Sequence, residues 1–192
     1  MCAEQQGRDL YDLLEEELSL TSCGSNGLLF LPYLLGERSP RWNPDAKGGF
    51  IGLKMEHERK DMMRAVQEGV AMNLSLILDV FRAHGTSIDE MVVIGGGAKS
   101  ECWRQILADV YQLRILKPDY MDEATSIGAA ITAGVGVGVF QDFDVIQQFL
   151  SIEEQVEPMR EHSVIYKDIK VLFDEAYEAL TPLFQKLSAY KK

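Results

Sequence analysis

The sequence has little cysteine: three residues in 192, at positions 2, 23 and 102. They are odd in number and widely spaced, with no CxxC pair and no histidine at ligand spacing. That excludes a disulfide framework and a structural zinc site, and it implies a reducing, cytoplasmic setting. Long hydrophobic runs are also missing. The most apolar segment, GAAITAGVGVGVF at 128–140, is too short and too rich in glycine to span a membrane. The first twenty residues hold no basic stretch leading into an apolar core, so they do not read as a signal peptide. Positive charge is in short supply: 19 Lys and Arg stand against 30 Asp and Glu, a net charge of −11. Long-range attraction to nucleic acid or anionic lipid is thereby excluded, and any phosphate ligand has to be held locally.

What is present is ordinary globular composition, 46% hydrophobic and 26% charged. A chain of this length buries roughly 70% of its unfolded surface, and one compact domain is the default. The most informative stretch is MVVIGGGAKSECWRQILADV, residues 91–110. Met91, Val92, Val93 and Ile94 form an apolar run without alternation, which predicts a central strand buried on both faces. After the glycines, Cys102, Trp103, Ile106, Leu107 and Val110 recur at helical spacing, with Ser100 placed as the cap. The unit is strand, glycine turn, helix. Glycines there let the chain turn sharply and let a ligand approach main-chain N–H groups, so a plain turn and a ligand seat both fit. The dinucleotide fingerprint is not met, because Ser100 stands where the third glycine belongs, and there is no GxxxxGK[ST]. A Rossmann oxidoreductase is set aside on that ground.

Around this unit the pattern alternates. Residues 8–20 read as an acidic amphipathic helix with Leu10, Leu13, Leu14 and Leu18 inward and Glu15 to Glu17 largely solvated. A proline- and glycine-bearing stretch of about thirty residues follows, read as ordered and packed, with short strands near Leu28–Leu31 and Phe50–Leu53. Residues 61–83 form the longest helix, with Met62, Val66, Gly69, Val70, Ile77 and Phe81 as its core face. Gly69 in mid-helix costs about 1 kcal/mol, which predicts a second backbone packed close to it. Asn73 falls on the same face and needs a partner if buried. Gly85 suits a C-terminal stop. A strand at Arg114–Lys117 and a helix over 123–138 follow, the latter with Asp122 and Glu123 at its positive end and small residues suited to close packing. A last helix, 164–190, turns Val164, Ile165, Ile169, Leu172, Phe173, Ala176, Tyr177 and Leu180 inward and is expected to kink or break at Pro182. The order implies an α/β fold with a partly parallel sheet.

LLFLPYLLGERSPRWNPDAKGGFIGL, then RAVQEGVA, VIGGGAKSECWRQILADV and IGAAITAGVGVG, resemble in order and spacing the C-terminal half of the FGGY carbohydrate kinases, xylulose kinases most of all. The resemblance covers residues 27–185. The family's second signature matches Gly48, Phe50, Gly52, Leu53, Asp61, Met62, Ala65, Val66 and Glu68 and departs at Gln67. It implies an actin-like ATPase architecture on a ribonuclease-H-like core, cut short at its N-terminal strands, with residues 1–26 as a lead-in and 27–192 as the nucleotide-binding domain. It further implies transfer of the γ-phosphoryl group of MgATP to a pentulose such as D-xylulose. Gly96, Gly97 and Ala98 then lie against adenine and ribose, and Glu101 stands beside the nucleotide.

The catalytic aspartate, the phosphate loops and the Mg²⁺ ligands are implied in a missing N-terminal kinase domain. The chain by itself is therefore expected to be inactive and to self-associate as a homo-oligomer through uncovered edges. A non-catalytic association module with the same fold is the alternative, separated by whether ATP binds. Gly36 to Pro40 read either as a structural corner, the preferred reading, or as a lining of the cleft, and Trp42 and Trp103 read as packing residues. Asp45 lies in a loop and matches no catalytic position.

Overall fold

The computed structural model describes residues 10–190 apart from 122. The Asp122 assignment therefore lies outside the described residues. The elements in chain order are α1 (Leu10–Ser19), β1 (Leu29–Leu31), β2 (Gly49–Ile51), α2 (Arg59–Ala83), β3 (Glu90–Val92), α3 (Glu101–Tyr111), β4 (Arg114–Pro118), α4 (Ala124–Gly136), β5 (Ile152–Val156) and α5 (Arg160–Ser188). β1 and β2 pair antiparallel, Leu29 opposite Ile51. β3 and β4 run parallel with Met91 opposite Ile115, and β5 returns antiparallel on the other side of β4. The expected α/β alternation with a partly parallel sheet is what forms. One core joins both sheets, built from Leu31 and Tyr33, Met72 and Leu76 of α2, Ile106 and Val110 of α3, Ile115, and Tyr166, Phe173 and Tyr177 of α5.

Several expectations hold at the level of single residues. An added Cβ at Gly69 would stand 2.1 Å from the Phe30 carbonyl oxygen, so helix and strand meet there backbone to backbone. α2 starts where the Glu58 N–H donates to Asp61 Oδ2 at 2.8 Å, and it stops at His84 with Gly85 following. Within α2 lies a charged cluster sealed from water. Glu68 takes hydrogen bonds from Arg64 Nε (2.9 Å), Gly24 N (2.9 Å), Ser25 Oγ (2.7 Å) and Tyr166 Oη (2.7 Å). Burial, with the Glu68 charge adding to it, drives the Tyr166 phenol far above its ordinary pKa, so it stays a donor.

Other expectations are overturned. β3 is an edge strand, not a central one, because no segment among the described residues lies on its far side. The buried face of α2 includes Asp61, Arg64, Ala65, Glu68, Gly69, Met72 and Ser75; of the predicted stripe Gly69 is buried, Met62 and Val66 pack half-buried against Leu28 and Phe30, Val70 and Ile77 are half-buried, and Phe81 is 52% exposed. α4 buries only Ile131, so its small residues are not closely packed apart from Gly134 against the Phe140 ring. α5 begins at Arg160 and runs on through Pro182, where Thr181 Oγ1 bonds to the Tyr177 carbonyl. Tyr166 and Phe184 belong to its inner face, while Val164, Ile165 and Leu172 are exposed. Trp42 is exposed rather than packed, whereas Trp103 does pack against the core. β5 falls in a stretch to which the sequence pattern assigns no element, and its Ile-Glu-Glu-Gln-Val is mostly exposed.

The Glu68 cluster sets a stability test. Glu68→Ala leaves Arg64 buried without a counter-charge and should cost about 3–5 kcal/mol in urea unfolding. Tyr166→Phe removes one of several donors and should cost about 1 kcal/mol. Equal losses would mean that the cluster does not act as the tie described.

Candidate functional site

The site builds outward from the end of β3. Val93 N still donates to the Leu116 carbonyl at 2.9 Å, and the chain then reverses at Gly95, whose φ of +84° and ψ of −177° suit glycine alone. Gly96 to Lys99 form a 3₁₀ turn, closed by Ala98 N to the Gly95 carbonyl at 3.0 Å. Ser100 caps α3 as expected, its Oγ accepting from Trp103 N at 3.0 Å.

Two long-range contacts clamp this turn, and nothing in the local sequence signals either. Glu15, expected to be solvated, reaches from α1 to accept from Ser100 Oγ (2.5 Å) and Cys102 N (2.6 Å). Its neighbour Glu17 is likewise engaged, with Arg59 Nε at 2.9 Å. From beneath, Arg104, 3% exposed, donates to the Ala98 carbonyl (2.5 Å) and to Glu154 (2.6 Å). Lys117 donates to the same Glu154 and holds its carboxyl below the usual carboxylate range.

The four residues singled out in the sequence do share one neighbourhood but not one exposure. Gly96, Gly97 and Glu101 are exposed. Ala98 is fully buried, so a ligand can meet it only at its backbone. The positive φ lies at Gly95 and not at Gly96 or Gly97. An added Cβ at Gly96 would meet nothing within 4 Å, and one at Gly97 would stand 3.4 Å from Trp103 Nε1. The fold itself therefore does not require glycine at Gly96. α3's N-terminus, which would otherwise attract an anion, is already occupied by the Glu15 carboxylate.

Elsewhere, a cleft of about 480 Å³ lies between Pro32–Ser39 and the outer face of α2. Another of about 630 Å³ is lined by Asp119, Tyr120, Glu123 and Phe149. Neither cleft is lined by a residue of the glycine turn. Gly36 to Pro40 form the expected corner, and Gly36 to Ser39 also line the first cleft: Glu37, 5% exposed, accepts from the backbone N–H groups of Ser39 (2.7 Å), Arg41 (2.9 Å) and Trp42 (2.8 Å). Burial pushes the Cys23 and Cys102 thiols up to about 11, which leaves both protonated and unreactive at neutral pH. Among the described residues no group of three or more His, Cys, Asp or Glu could hold a metal ion, and no helix is long and apolar enough to cross a membrane.

Comparison with known proteins bears on this geometry. Residues 2–137 match the C-terminal domain of the FGGY family of carbohydrate kinases. A gluconokinase of Bacillus licheniformis is 33% identical over 99% of this chain and 37% of its own length. A xylulose kinase of Staphylococcus epidermidis is 36% identical over 85% of this chain and 34% of its own. The crystal structure of a ligand-bound xylulose kinase from Lactobacillus acidophilus superposes with a TM-score of 0.83 at 28% identity, covering 95% of this chain and 37% of that one. The chain thus spans little more than a third of the length of the curated relatives it matches. The strand, glycine turn and helix described above stand in a chain that belongs to the FGGY family of carbohydrate kinases and carries its C-terminal domain.

Proposed function

We propose that the chain is the nucleotide-binding C-terminal part of an ATP-dependent sugar kinase, with adenosine seated on Gly96 and Gly97. The observation that carries this is the glycine at 96, which has open space where its side chain would stand and no left-handed φ. Gly49, Gly128 and Gly136 have the same open space, and Gly96 differs from them in its place in the clamped strand–turn–helix unit. Glu101, exposed on the first turn of α3, follows Gly97 by four residues across the Ser100 cap and is the carboxylate assigned to ribose or base. Because Glu15 takes up the positive end of α3, the phosphates extend away from this helix.

Phosphoryl transfer requires nucleophile, Mg²⁺ and γ-phosphate to be held together. The catalytic carboxylate, the Mg²⁺ ligands and the sugar pocket are assigned to the rest of the kinase polypeptide. The acceptor is a ketopentose such as D-xylulose; the gluconokinase among the relatives makes gluconate the competing acceptor. The 192-residue chain is expected to release no ADP with either acceptor in a coupled assay. Turnover at the roughly 1–100 per second of ordinary kinases overturns that division of labour.

In the intact kinase, Gly96→Val should weaken ADP binding about tenfold or more, a loss of about 1.4 kcal/mol, with the melting temperature unchanged. Gly97→Val should weaken it too but also press on Trp103, so Gly96→Val is the cleaner variant. If both bind ADP like the parent, the turn is not the adenosine seat. Glu15→Ala removes a cap from α3 and should lower stability by about 1–2 kcal/mol, read by urea unfolding, without the loss of affinity expected at Gly96.

A further inference from the structure

Trp103 packs on the core with only part of its ring. It stands in the first turn of α3, where helical side chains lean back toward the N-terminus, and this brings the indole against the glycine turn. The ring is half-buried and packs against the core. Its pyrrole edge faces Gly97: an added Cβ on that glycine would stand 3.4 Å from Nε1 and 3.5 Å from Cδ1. A polar edge, held in place by the core, thus borders the two bare glycines.

Much of the turn's own hydrogen bonding is directed inward. Ala98 N–H donates to the Gly95 carbonyl at 3.0 Å and Ser100 N–H to the Gly97 carbonyl at 3.2 Å. The Ser100 hydroxyl donates to Glu15, and the main-chain N–H of Trp103 donates to Ser100 Oγ. The indole N–H is different. It donates to no acceptor among the described residues, and it is not one of the unpartnered groups sealed from water. A Trp N–H usually finds a partner when its ring is packed away.

We infer that Trp103 is a nucleotide-contacting residue, its indole Nε1–H donating to an uncharged acceptor on the nucleoside. The inference rests on the adenosine seat proposed above. An indole N–H carries no formal charge and can only donate. On that reading the phosphates extend away from α3, so the nucleoside is the part of the ligand that meets this edge. Because the core fixes the ring, the donor is oriented in advance and little side-chain freedom is lost on binding. Phenylalanine in its place keeps an aromatic ring against the core and loses the donor.

In the intact kinase, Trp103→Phe should weaken ADP binding about three- to tenfold, read by calorimetric titration of the folded enzyme, and should weaken adenosine binding by the same factor. The indole ¹⁵N–¹H resonance of Trp103, identified by its loss in that variant, should shift when ADP is added. Tyr166→Phe, which lowers stability from the Glu68 cluster instead of the turn, should leave both affinities unchanged. An unchanged ADP affinity in Trp103→Phe, a loss for ADP that adenosine does not share, an indole resonance that ADP leaves in place, or an equal loss in Tyr166→Phe each overturn the inference. Gly96→Val, measured alongside, separates the two ideas. If Gly96→Val weakens ADP binding and Trp103→Phe does not, the indole contact falls alone. If only Trp103→Phe weakens it, the seat on Gly96 falls and the indole contact stands.

Discussion

The buried carboxylate of Glu68 is what the assembly hangs on. It draws four donors onto two oxygen atoms: a guanidinium on its own helix, a main-chain N–H and a hydroxyl from the Gly24–Ser25 turn, and a phenol from the last helix. Arg64 in turn reaches the Leu18 carbonyl at 3.3 Å and so brings in the end of α1. Burying a lone carboxylate would be prohibitive; with a counter-charge and donors on both oxygens, it becomes a joint. Elements far apart in sequence are thereby held at fixed distances around α2. Asp109, 1% exposed, plays a smaller version of the same part, binding Met159 N at 2.6 Å and standing 2.8 Å from His162 Nδ1 where α5 begins.

The glycine turn inherits that rigidity. Its shape is imposed from two sides, by Glu15 on α1 above and by Arg104 below, and α1 is itself moored through Arg64 and Glu17. A surface with so little side chain would otherwise be loose. Clamping its carbonyls and its helix cap, while leaving Gly96 and Gly97 bare, holds the turn in one shape; on the reading proposed above, little ordering would remain to be done on binding.

Much of this could be read from the residues in order. The long helices, the cap at Ser100 and the strand–turn–helix unit are legible because each depends on neighbours in sequence, and the close approach at Gly69 because a mid-helix glycine marks it without naming its partner, Phe30. What escaped depends on partners far away. Glu15 looks like one of three solvated acids until α3's N-terminus is placed against it, 87 residues on. Arg104 looks like surface charge until Glu154 arrives from a strand too polar to announce itself. On α2 and β3 the apolar pattern predicts more burial than forms: Phe81 stays 52% exposed and β3 ends its sheet.

The corner at Glu37 carries a different implication. Because one carboxylate collects the N–H groups of Ser39, Arg41 and Trp42, the loop's path is dictated by a single inward side chain and the main chain. Leu35, Arg38 and Trp42, which point outward and are exposed, contribute little to holding it. Shape and surface chemistry are thus uncoupled at this place. Mutation can rewrite what the loop presents to its surroundings at almost no cost in folding, provided Glu37 stays.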